Sequence, residues 1–311
     1  MASVSSRHRV TILLATCNGE KYLRAQLDSL AAQTLQPARI LISDDGSTDD
    51  TRAIIRAFAA ENPALRVSLL DGPGQGAAVN FRFLLMQAPQ EAGFVALCDQ
   101  DDVWLPDKLA RAVRMLAGSE GPALYCARSW EWDEKRDRRR LSRPAPPRPG
   151  FRHALVQNIA GGNTMLLNRA ALALMREAGR EVRELVVHDW WIYQVLSGAG
   201  ARIVHDDRPE LLYRQHGGNL IGANRGVPAK LRRLGFMLAG GYREWTRINI
   251  ENLNAARHLL TPEAREILDH FAKDRDGSLP ERLAMLRRTG LHRHGRLAQA
   301  ALYLAAFLRR L

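Results

Sequence analysis

The chain has 311 residues, 46% of them hydrophobic, which is enough for one large domain or two small ones with a sizeable core. Its 45 Lys and Arg against 33 Asp and Glu give a formal net charge of +12. Residues 225–311 contain 17 basic and 8 acidic residues, a net charge of +9. The first 224 residues contain 28 basic and 25 acidic residues, a net charge of only +3. The three cysteines form no C-x-x-C pair, so we expect neither a zinc site nor a disulfide framework. No apolar run reaches the roughly 18 residues of a spanning helix, and no apolar signal core precedes the first strand pattern.

Strand and helix patterns alternate over the first hundred residues. The predicted strands are 10–15, 39–43, 66–71 and 93–99, and the predicted helices are 20–33, 48–61 and 76–88. Thr48 is the expected N-cap of the second helix. Nearly continuous apolar strands between helices imply a buried parallel sheet with helices on both faces. In such sheets ligands bind at the carboxyl ends of the strands.

The rest of the chain is less regular. Residues 125–151 change from strand-like to charged to Pro-rich, which predicts an exposed hairpin or loop with a solvated basic run. The acidic group at 205–207 predicts a turn between two strands rather than a metal cluster. From residue 227 onwards the patterns are helical. We therefore expect an α/β domain over 1–224 and a basic amphipathic helical tail over 225–311.

Carboxylates collect at the ends of two predicted strands. "ILISDDGSTDD" and "FVALCDQDDVWL" place acidic groups after the second and fourth strands, at Asp44, Asp45, Asp99, Asp101 and Asp102. Three carboxylates within four residues repel each other unless a cation or strong donors compensate them. Hard oxygen ligands suit Mg²⁺ or Mn²⁺, and Mg²⁺ commonly lies between carboxylates and substrate phosphates. The fourth-strand cluster therefore suggests a divalent cation that holds a diphosphate.

Local structure offers a competing explanation for both clusters. Asp102 or Asp107 could cap a helix that begins near Pro106. Asp-Gly is turn chemistry, and the Ser and Thr that follow it suit the start of the next helix. Two consecutive aspartates at the second strand end are not explained in this way, and one of them could accept hydrogen bonds from a nucleotide base or ribose.

Several segments taken together resemble glycosyltransferase family 2, the large GT-A group that uses nucleotide-diphospho-sugars. They are "TILLATCNGEKYLRAQLDSLAAQT", "ILISDDGSTDDT" and "CDQDDVWLPDKL", while "GGNTMLLNR", "HDWW" and "YRQHGGN" resemble its rhamnosyltransferase-like bacterial branch. The match covers roughly residues 9–224 in order. It implies a GT-A fold, which is a Rossmann-like, mostly parallel sheet flanked by helices. It also implies inverting, metal-dependent transfer of a sugar, with dTDP-rhamnose as the donor of the branch, to a hydroxyl of a cell-surface glycan precursor.

The resemblance assigns roles to single residues. Asp189 of "HDWW" matches the catalytic base, and Asp99 and Asp101 match the motif that binds Mg²⁺ or Mn²⁺. His216 of "YRQHGGN" matches a loop that meets the metal or the diphosphate. The residues expected at the nucleotide or donor sugar are Thr16, Asn18, Glu20, Asp44, Asp45, Asp99, Gly161, Gly162, Asn163 and Arg214.

Each of these assignments has a structural alternative. Asp189 could be the N-cap of the helix that follows it, and His216 could be an ordinary loop histidine. Trp190 and Trp191 could form part of the core or a wall for the acceptor.

Other classes of function compete with sugar transfer. A nucleic-acid-binding protein is suggested by the charge, but we expect no nucleic-acid partner because no aromatic-rich basic strand or recognition helix is present. A non-catalytic nucleotide-binding protein is the other alternative. The loop after the first strand, "ATCNGEKY", has one glycine and therefore lacks the G-x-G-x-x-G of a dinucleotide-dependent dehydrogenase.

The sequence of the tail indicates a location at a membrane surface. Its apolar segment at 297–308 is too short to span a bilayer but is flanked by arginines, which suits an anionic membrane surface. A lipid-linked acceptor would place the protein in the cytoplasm, at the inner face of the plasma membrane. The alternative is that the tail packs on the catalytic domain or on a second subunit in a homodimer.

Overall fold

The computed structural model describes residues 9–216 and 235–311, so the expected domain boundary at 224/225 lies outside the described residues. The strands are β1 (Val10–Thr16), β2 (Arg39–Asp44), β3 (Val67–Asp71), β4 (Phe94–Cys98), β5 (Val103–Trp104), β6 (Ala123–Asp133), β7 (Arg138–Leu141), β8 (Leu166–Asn168) and β9 (Arg202–Arg214). The helices are α1 (Leu23–Ala31), α2 (Thr51–Glu61), α3 (Ala77–Gln87), α4 (Lys108–Leu116), α5 (Phe151–Ala154), α6 (Arg169–Glu181), α7 (His188–Gly198), α8 (Gly241–Ala255), α9 (Pro262–Asp274), α10 (Leu279–Thr289) and α11 (Arg296–Phe307). A 3₁₀ turn at Gly162–Thr164 precedes β8.

The strands form one mixed sheet in the order β3-β2-β1-β4-β8-β6-β9-β5, and β7 pairs with β6 as a hairpin. Strands β1 to β4 are parallel to one another. Strand β8 runs antiparallel to both β4 and β6, whereas β6 and β9 are parallel. The predicted, mostly parallel α/β sheet and the predicted exposed hairpin are confirmed. The carboxyl ends of β1, β2 and β4 meet at one edge, where the acidic clusters lie.

The sheet separates two apolar cores, because successive side chains of a strand point to opposite faces. In β1, Leu13 and Ala15 enter one core, while Ile12 and Leu14 enter the other. Strands β2 and β4 alternate in the same way. Each fully buried aliphatic side chain contributes about 1.5–3 kcal/mol relative to an exposed one. The strands are therefore apolar on both faces, and the helices that cover them fix the position of the acidic edge.

Two local predictions are wrong. Thr48 is not the N-cap of α2, since that helix begins at Thr51. Residues 205–207 are not a turn but lie within β9, whose pairing with β6 shifts register nearby. Within this stretch Asp206 is buried, and its carboxylate is compensated by the Arg111 guanidinium.

The C-terminal helices pack against the rest of the chain. Leu253 of α8, Phe271 of α9 and Leu302 of α11 share a core with side chains of β1 and α7. The Tyr242 hydroxyl of α8 donates to the Val156 carbonyl oxygen at 2.8 Å. Among the residues described, no helix combines the length and apolar character needed to cross a membrane.

Candidate functional site

A cleft of about 380 Å³ opens at the carboxyl edge of the sheet. It is lined by the loops that follow β1 and β4 and by the end of β9, with Asn18, Tyr22, Gln100, Asp101 and His216 among its walls. Parallel α/β sheets bind ligands at this position. The structure thus brings together three residues that the sequence placed at the donor and metal: Asn18, Asp101 and His216.

Asp101 and His216 form a pair at the side of this cleft. Nε2 of His216 lies 2.8 Å from Oδ2 of Asp101, and the imidazole stacks on Tyr22 with 4.9 Å between ring centroids. His216 is therefore not an ordinary loop histidine. Burial, and then the neighbouring Asp102 and Asp101 carboxylates, raise the pKa of Asp99 well above its usual range.

This donor set fits a divalent cation. No group of three His, Cys, Asp or Glu side chains is arranged as a complete metal cluster within 9–216 and 235–311. The loop after β4 nevertheless concentrates carboxylates, since Asp101 and Asp102 contribute to the raised pKa of Asp99, and one imidazole lies beside Asp101. Mg²⁺ and Mn²⁺ accept such oxygen-rich sets and complete their coordination with phosphate oxygens and water.

Asp102 is part of the scaffold of the site. It is fully buried, its Oδ2 accepts from Asn163 Nδ2 at 2.6 Å, and its Oδ1 accepts from Arg214 N at 3.2 Å. Burial and then the adjacent Asp101 raise its pKa to about 8. Asp102 therefore joins the β4 loop to the 3₁₀ turn and to β9 and does not cap α4. Asp107 takes the N-cap position of α4, without a side-chain hydrogen bond to the helix.

Arg214 is also part of the scaffold of the site. Its guanidinium lies between the rings of Tyr22 and Trp132, 4.6 Å from each centroid. Its Nε donates to the Asp101 carbonyl oxygen at 2.9 Å, and its Nη1 pairs with Glu134. Since Arg214 is 3% exposed, it holds the end of β9 against the cleft wall. Its contact with a diphosphate stays a prediction.

The two aspartates at the end of β2 have different partners. Asp44 is buried, and its Oδ2 pairs with Arg52 Nη1 at 2.9 Å. Asp45 is partly exposed, and its carboxylate accepts from the backbone N–H groups of Gly74 and Gly76, both at 2.7 Å. Asp44 thus stabilises its own strand end, and Asp45 fastens the loop after β3 to it; the contact of Asp45 with a nucleotide stays a prediction.

The loop after β1 is fastened to the loop after β2. Asn18 has φ +49°, and its Oδ1 accepts from Thr48 N at 2.9 Å. Oε2 of Glu20 accepts from Asp50 N at 3.2 Å. Both side chains therefore fix the shape of the loop after β1, and Asn18 also lines the cleft.

Gln100 is a residue that the sequence reasoning missed. Its Oε1 accepts from the Thr16 hydroxyl at 2.6 Å and from Cys17 N at 2.8 Å, and its Nε2 donates to Cys17 O at 3.1 Å. One carboxamide therefore clamps the end of β1 to the β4 loop. Gly19 is required beside it, because a Cβ there would lie 2.5 Å from Oε1 of Gln100. The available signal was a polar, uncharged residue between two aspartates at a strand end.

Asp189 has the features of a proton acceptor. Helix α7 begins at His188 with Val187 as its N-cap, so the N-cap explanation of Asp189 is wrong. Its Oδ2 accepts from Gly162 N at 3.2 Å, while Oδ1 has no hydrogen-bond partner among the described residues. Burial raises the pKa of Asp189 to about 6, and the Gly162 N–H partly opposes this effect. A buried carboxylate with one unpaired oxygen and a pKa near neutrality suits general-base catalysis.

The neighbours of Asp189 explain two further motif residues. His188 is buried and stacks on Phe81 with 3.9 Å between centroids, and burial lowers its pKa to about 3, so its imidazole is neutral. A Cβ on Gly162 would lie 2.4 Å from His188 Nε2, so a glycine is required there. Trp190 and Trp191 are buried. This confirms the interpretation that they form part of the core and not a wall for the acceptor.

Comparisons with known proteins decide the family. The family model of glycosyl transferase family 2 matches residues 11–180, more than half of the chain. The chain belongs to glycosyl transferase family 2. Among the relatives of this glycosyltransferase is the dTDP-rhamnosyl transferase RfbG of Shigella flexneri, 28% identical over 238 residues that cover 74% of this chain and 81% of that one. The UDP-Glc:alpha-D-GlcNAc-diphosphoundecaprenol beta-1,3-glucosyltransferase WfgD of Escherichia coli is 31% identical over 117 residues, which cover 37% of this chain and 44% of that one.

Solved structures show the same fold. TarS 1–349 of S. aureus, in complex with UDP-GlcNAc, has a TM-score of 0.55 and 17% identity, covering 97% of this chain and 90% of that one. The mannosyltransferase PcManGT from Pyrobaculum calidifontis, in complex with GDP-Man and Mn²⁺, has a TM-score of 0.52 and 18% identity, covering 97% and 86%. The GT-A fold that the motifs implied is therefore confirmed.

Proposed function

We propose that this glycosyltransferase moves a sugar from a nucleotide-diphospho-sugar to a hydroxyl of a glycan precursor, with inversion at the anomeric carbon. One continuous set of contacts carries the proposal. Gly162 N binds the Asp189 carboxylate, and the next side chain, Asn163, binds the Asp102 carboxylate next to Asp101. The proton acceptor and the cation-binding edge are therefore held by adjacent residues of one 3₁₀ turn.

The proposed chemistry follows from these groups. A sugar hydroxyl is a poor nucleophile, and we propose that the buried Oδ1 of Asp189, unpaired within the described part of the chain, accepts its proton during attack. One base on the acceptor side and one displacement give inversion. Asp101, Asp99 and His216 are the residues that would hold Mg²⁺ or Mn²⁺, and a bound cation would neutralise the charge that develops on the departing nucleoside diphosphate. Thr16, Asn18, Glu20 and Asp45 shape the nucleotide side.

Two relatives support the identity of the substrates. RfbG is a dTDP-rhamnosyl transferase that covers most of this chain, and dTDP-rhamnose is the donor we propose. WfgD acts on a sugar carried by diphosphoundecaprenol, which supports a lipid-linked glycan as acceptor. Asp44, Gly161 and Arg214 act in this proposal by positioning the loops around the donor.

A lipid-linked acceptor requires access to a membrane, and α11 offers a surface for it. One face of α11 is packed in the core through Leu302, Ala305 and Ala306. The other face exposes large apolar side chains, namely Leu297, Tyr303, Leu304, Phe307 and Leu308. At about 100° per residue these five fall within an arc of about 140°. We propose that this exposed face lies in the interface of the cytoplasmic leaflet, which places the protein peripherally at the inner face of the plasma membrane.

A donor panel tests the proposed function. Purified protein is incubated with dTDP-, UDP- and GDP-sugars and with Mg²⁺, Mn²⁺ or excess chelator, and release of the nucleoside diphosphate is measured. We expect turnover of dTDP-rhamnose that the chelator abolishes and that Asp101→Ala loses. Asp107→Ala is the matched control, because it removes a carboxylate of the same segment that pairs with Arg208 at 3.0 Å. Undiminished turnover in chelator contradicts the metal requirement, and no turnover of any donor contradicts the proposed function.

A further inference from the structure

A second cleft lies in the C-terminal helices, between α8, α9 and the segment after α11. It has a volume of about 490 Å³ and shares no lining residue with the catalytic cleft. Gly240, Arg243, Arg275 and Arg310 are among its walls. The proposed transfer reaction uses none of these residues.

Arg275 indicates what this cleft accepts. It is 5% exposed, and its Nη2 donates to the Arg243 carbonyl oxygen at 2.9 Å. Its Nη1 is buried and has no hydrogen-bond partner among residues 9–216 and 235–311. A buried charged donor without an acceptor is unfavourable, so a ligand that carries oxygen acceptors would satisfy it.

The charges around the cleft leave positive charge uncompensated. Acidic partners engage two of its four arginines at hydrogen-bond distance and a third, Arg275, at longer range: Arg243 pairs with Asp276 at 2.6 Å, and Arg247 pairs with Glu244 and Glu251. Arg275 Nε lies 3.7 Å from Asp276 Oδ2, which is beyond hydrogen-bond distance, and Arg310 is partly exposed. Four arginines against three carboxylates leave a net charge of +1 on the lining.

Backbone geometry adds further donors and directs Arg310 to the cleft. Gly240, at φ +87°, is the N-cap of the fifteen-residue helix α8, whose first amides have no partner within the helix. Arg309, at φ +55°, follows the C-cap of α11, and Arg310 N donates to the Ala305 carbonyl oxygen at 2.7 Å. This turn brings Arg310 Nη1 to 3.5 Å from the position of a Cβ on Gly240. Two arginines and a helix N-terminus therefore converge.

The cleft also has apolar neighbours. Phe236 lies against Gly241, where a Cβ would be 2.2 Å from its ring, and is 40% exposed. Phe307 is 59% exposed and precedes Arg310 by three residues. Exposed apolar side chains next to an anion-binding cleft match a lipid, which combines a phosphate with acyl chains, better than a free anion.

We propose that this cleft binds the phosphate group of an anionic membrane lipid, while Phe236, Phe307 and the exposed face of α11 enter the acyl region. Arg275 Nη1, Arg310 and the N-terminal amides of α8 donate to the phosphate oxygens. This inference rests on the membrane association proposed above and deepens it, because it gives the tail a defined headgroup site rather than a diffuse attraction.

Vesicle binding tests this site. Full-length protein is sedimented with phosphatidylcholine vesicles, with and without phosphatidylglycerol, at fixed salt. We expect Arg310→Gln and Arg275→Lys to lower the partition coefficient on anionic vesicles by at least about tenfold. The matched control is Arg287→Gln, an exposed arginine of α10 outside the cleft, which should cost no more than about fivefold, the effect of one basic residue near an anionic surface.

Three outcomes overturn the proposal. Equal losses for Arg310→Gln and Arg287→Gln indicate diffuse electrostatic attraction without a site. An increase in melting temperature with inorganic phosphate that Arg310→Gln abolishes, without any difference on vesicles, indicates a site for soluble phosphate. A stable dimer that does not bind vesicles indicates that a second copy of the chain covers the exposed apolar face of α11. Turnover of donor in solution is measured for each variant, and since none touches the catalytic cleft, it separates loss of lipid binding from failure of the proposed function.

Discussion

Gly162→Ala tests the geometry of the acceptor side most sharply. The added Cβ would lie 2.4 Å from His188 Nε2, about 1 Å closer than the 3.4 Å at which ordinary contacts begin. His188 is buried and its ring face stacks on Phe81 at 3.9 Å between centroids, so the imidazole has little free volume into which to shift. The strain must therefore move the 3₁₀ turn and with it Gly162 N, which holds Asp189 at 3.2 Å. Overpacking of this kind costs about 1–3 kcal/mol of stability, and a misplacement of about 1 Å at a catalytic group costs about 10²-fold in rate.

The neighbouring glycine provides the control. Gly161 has φ −64°, which alanine adopts freely, and a Cβ there meets Asn163 Oδ1 at 3.2 Å as its nearest atom. Urea unfolding and sugar transfer are measured for both variants. We expect Gly161→Ala to stay within a few-fold of wild type and Gly162→Ala to lose both stability and transfer. If the two variants behave alike, His188 does not buttress Asp189, and the reasoning is refuted.

Three further predictions concern the donor side, pH and stability. Gln100→Ala removes three hydrogen bonds to the end of β1, so we expect KM for the donor to rise by about tenfold with kcat less affected; an unchanged KM contradicts the clamp. The kcat/KM profile should fall below about pH 6, because burial raises the pKa of Asp189 to about 6 and the protonated acid cannot accept the hydroxyl proton; a flat profile from pH 5 to 7 contradicts this. Arg52→Ala leaves the buried Asp44 carboxylate without its cation and should cost about 1–3 kcal/mol in urea unfolding. Arg24→Ala, whose partners are all exposed, should cost less than about 1 kcal/mol, and equal losses contradict a special role for Asp44.

The parallel half of the sheet could be predicted because its signal is local. Apolar runs of five to seven residues between amphipathic helices leave few alternatives to a buried parallel sheet. Because the carboxyl ends of parallel strands form one ligand-binding edge, the acidic clusters at those ends are then placed at that edge. The antiparallel insertion of β8 between β4 and β6 could not be predicted, since it depends on pairing between strands that are distant in sequence. The strand at 205–207 was missed because a polar run favours a turn unless buried partners from other elements compensate it.

The residues of the site could be named more readily than their contacts. Asp44 and Asp45 are adjacent and chemically identical, yet one is buried against Arg52 and the other binds the backbone of the loop after β3, a difference that the strand pleat decides. The resemblance placed Arg214 at the diphosphate, but it could not predict that two aromatic rings from distant elements enclose its guanidinium. Tertiary contacts of this kind leave no pattern in the sequence near the residue.

The most direct test of the account is the effect of Asp189→Asn on the chemical step. Asparagine has nearly the same shape and keeps a carbonyl oxygen for Gly162 N, but it cannot accept a proton from the sugar hydroxyl. Donor affinity and single-turnover transfer are measured side by side with the nucleotide-sugar that the panel identifies. The account predicts unchanged donor affinity and a fall in transfer of about 10²–10⁴-fold, the usual range for loss of a general base. Transfer within a few-fold of wild type would contradict it, and the base would then have to lie elsewhere.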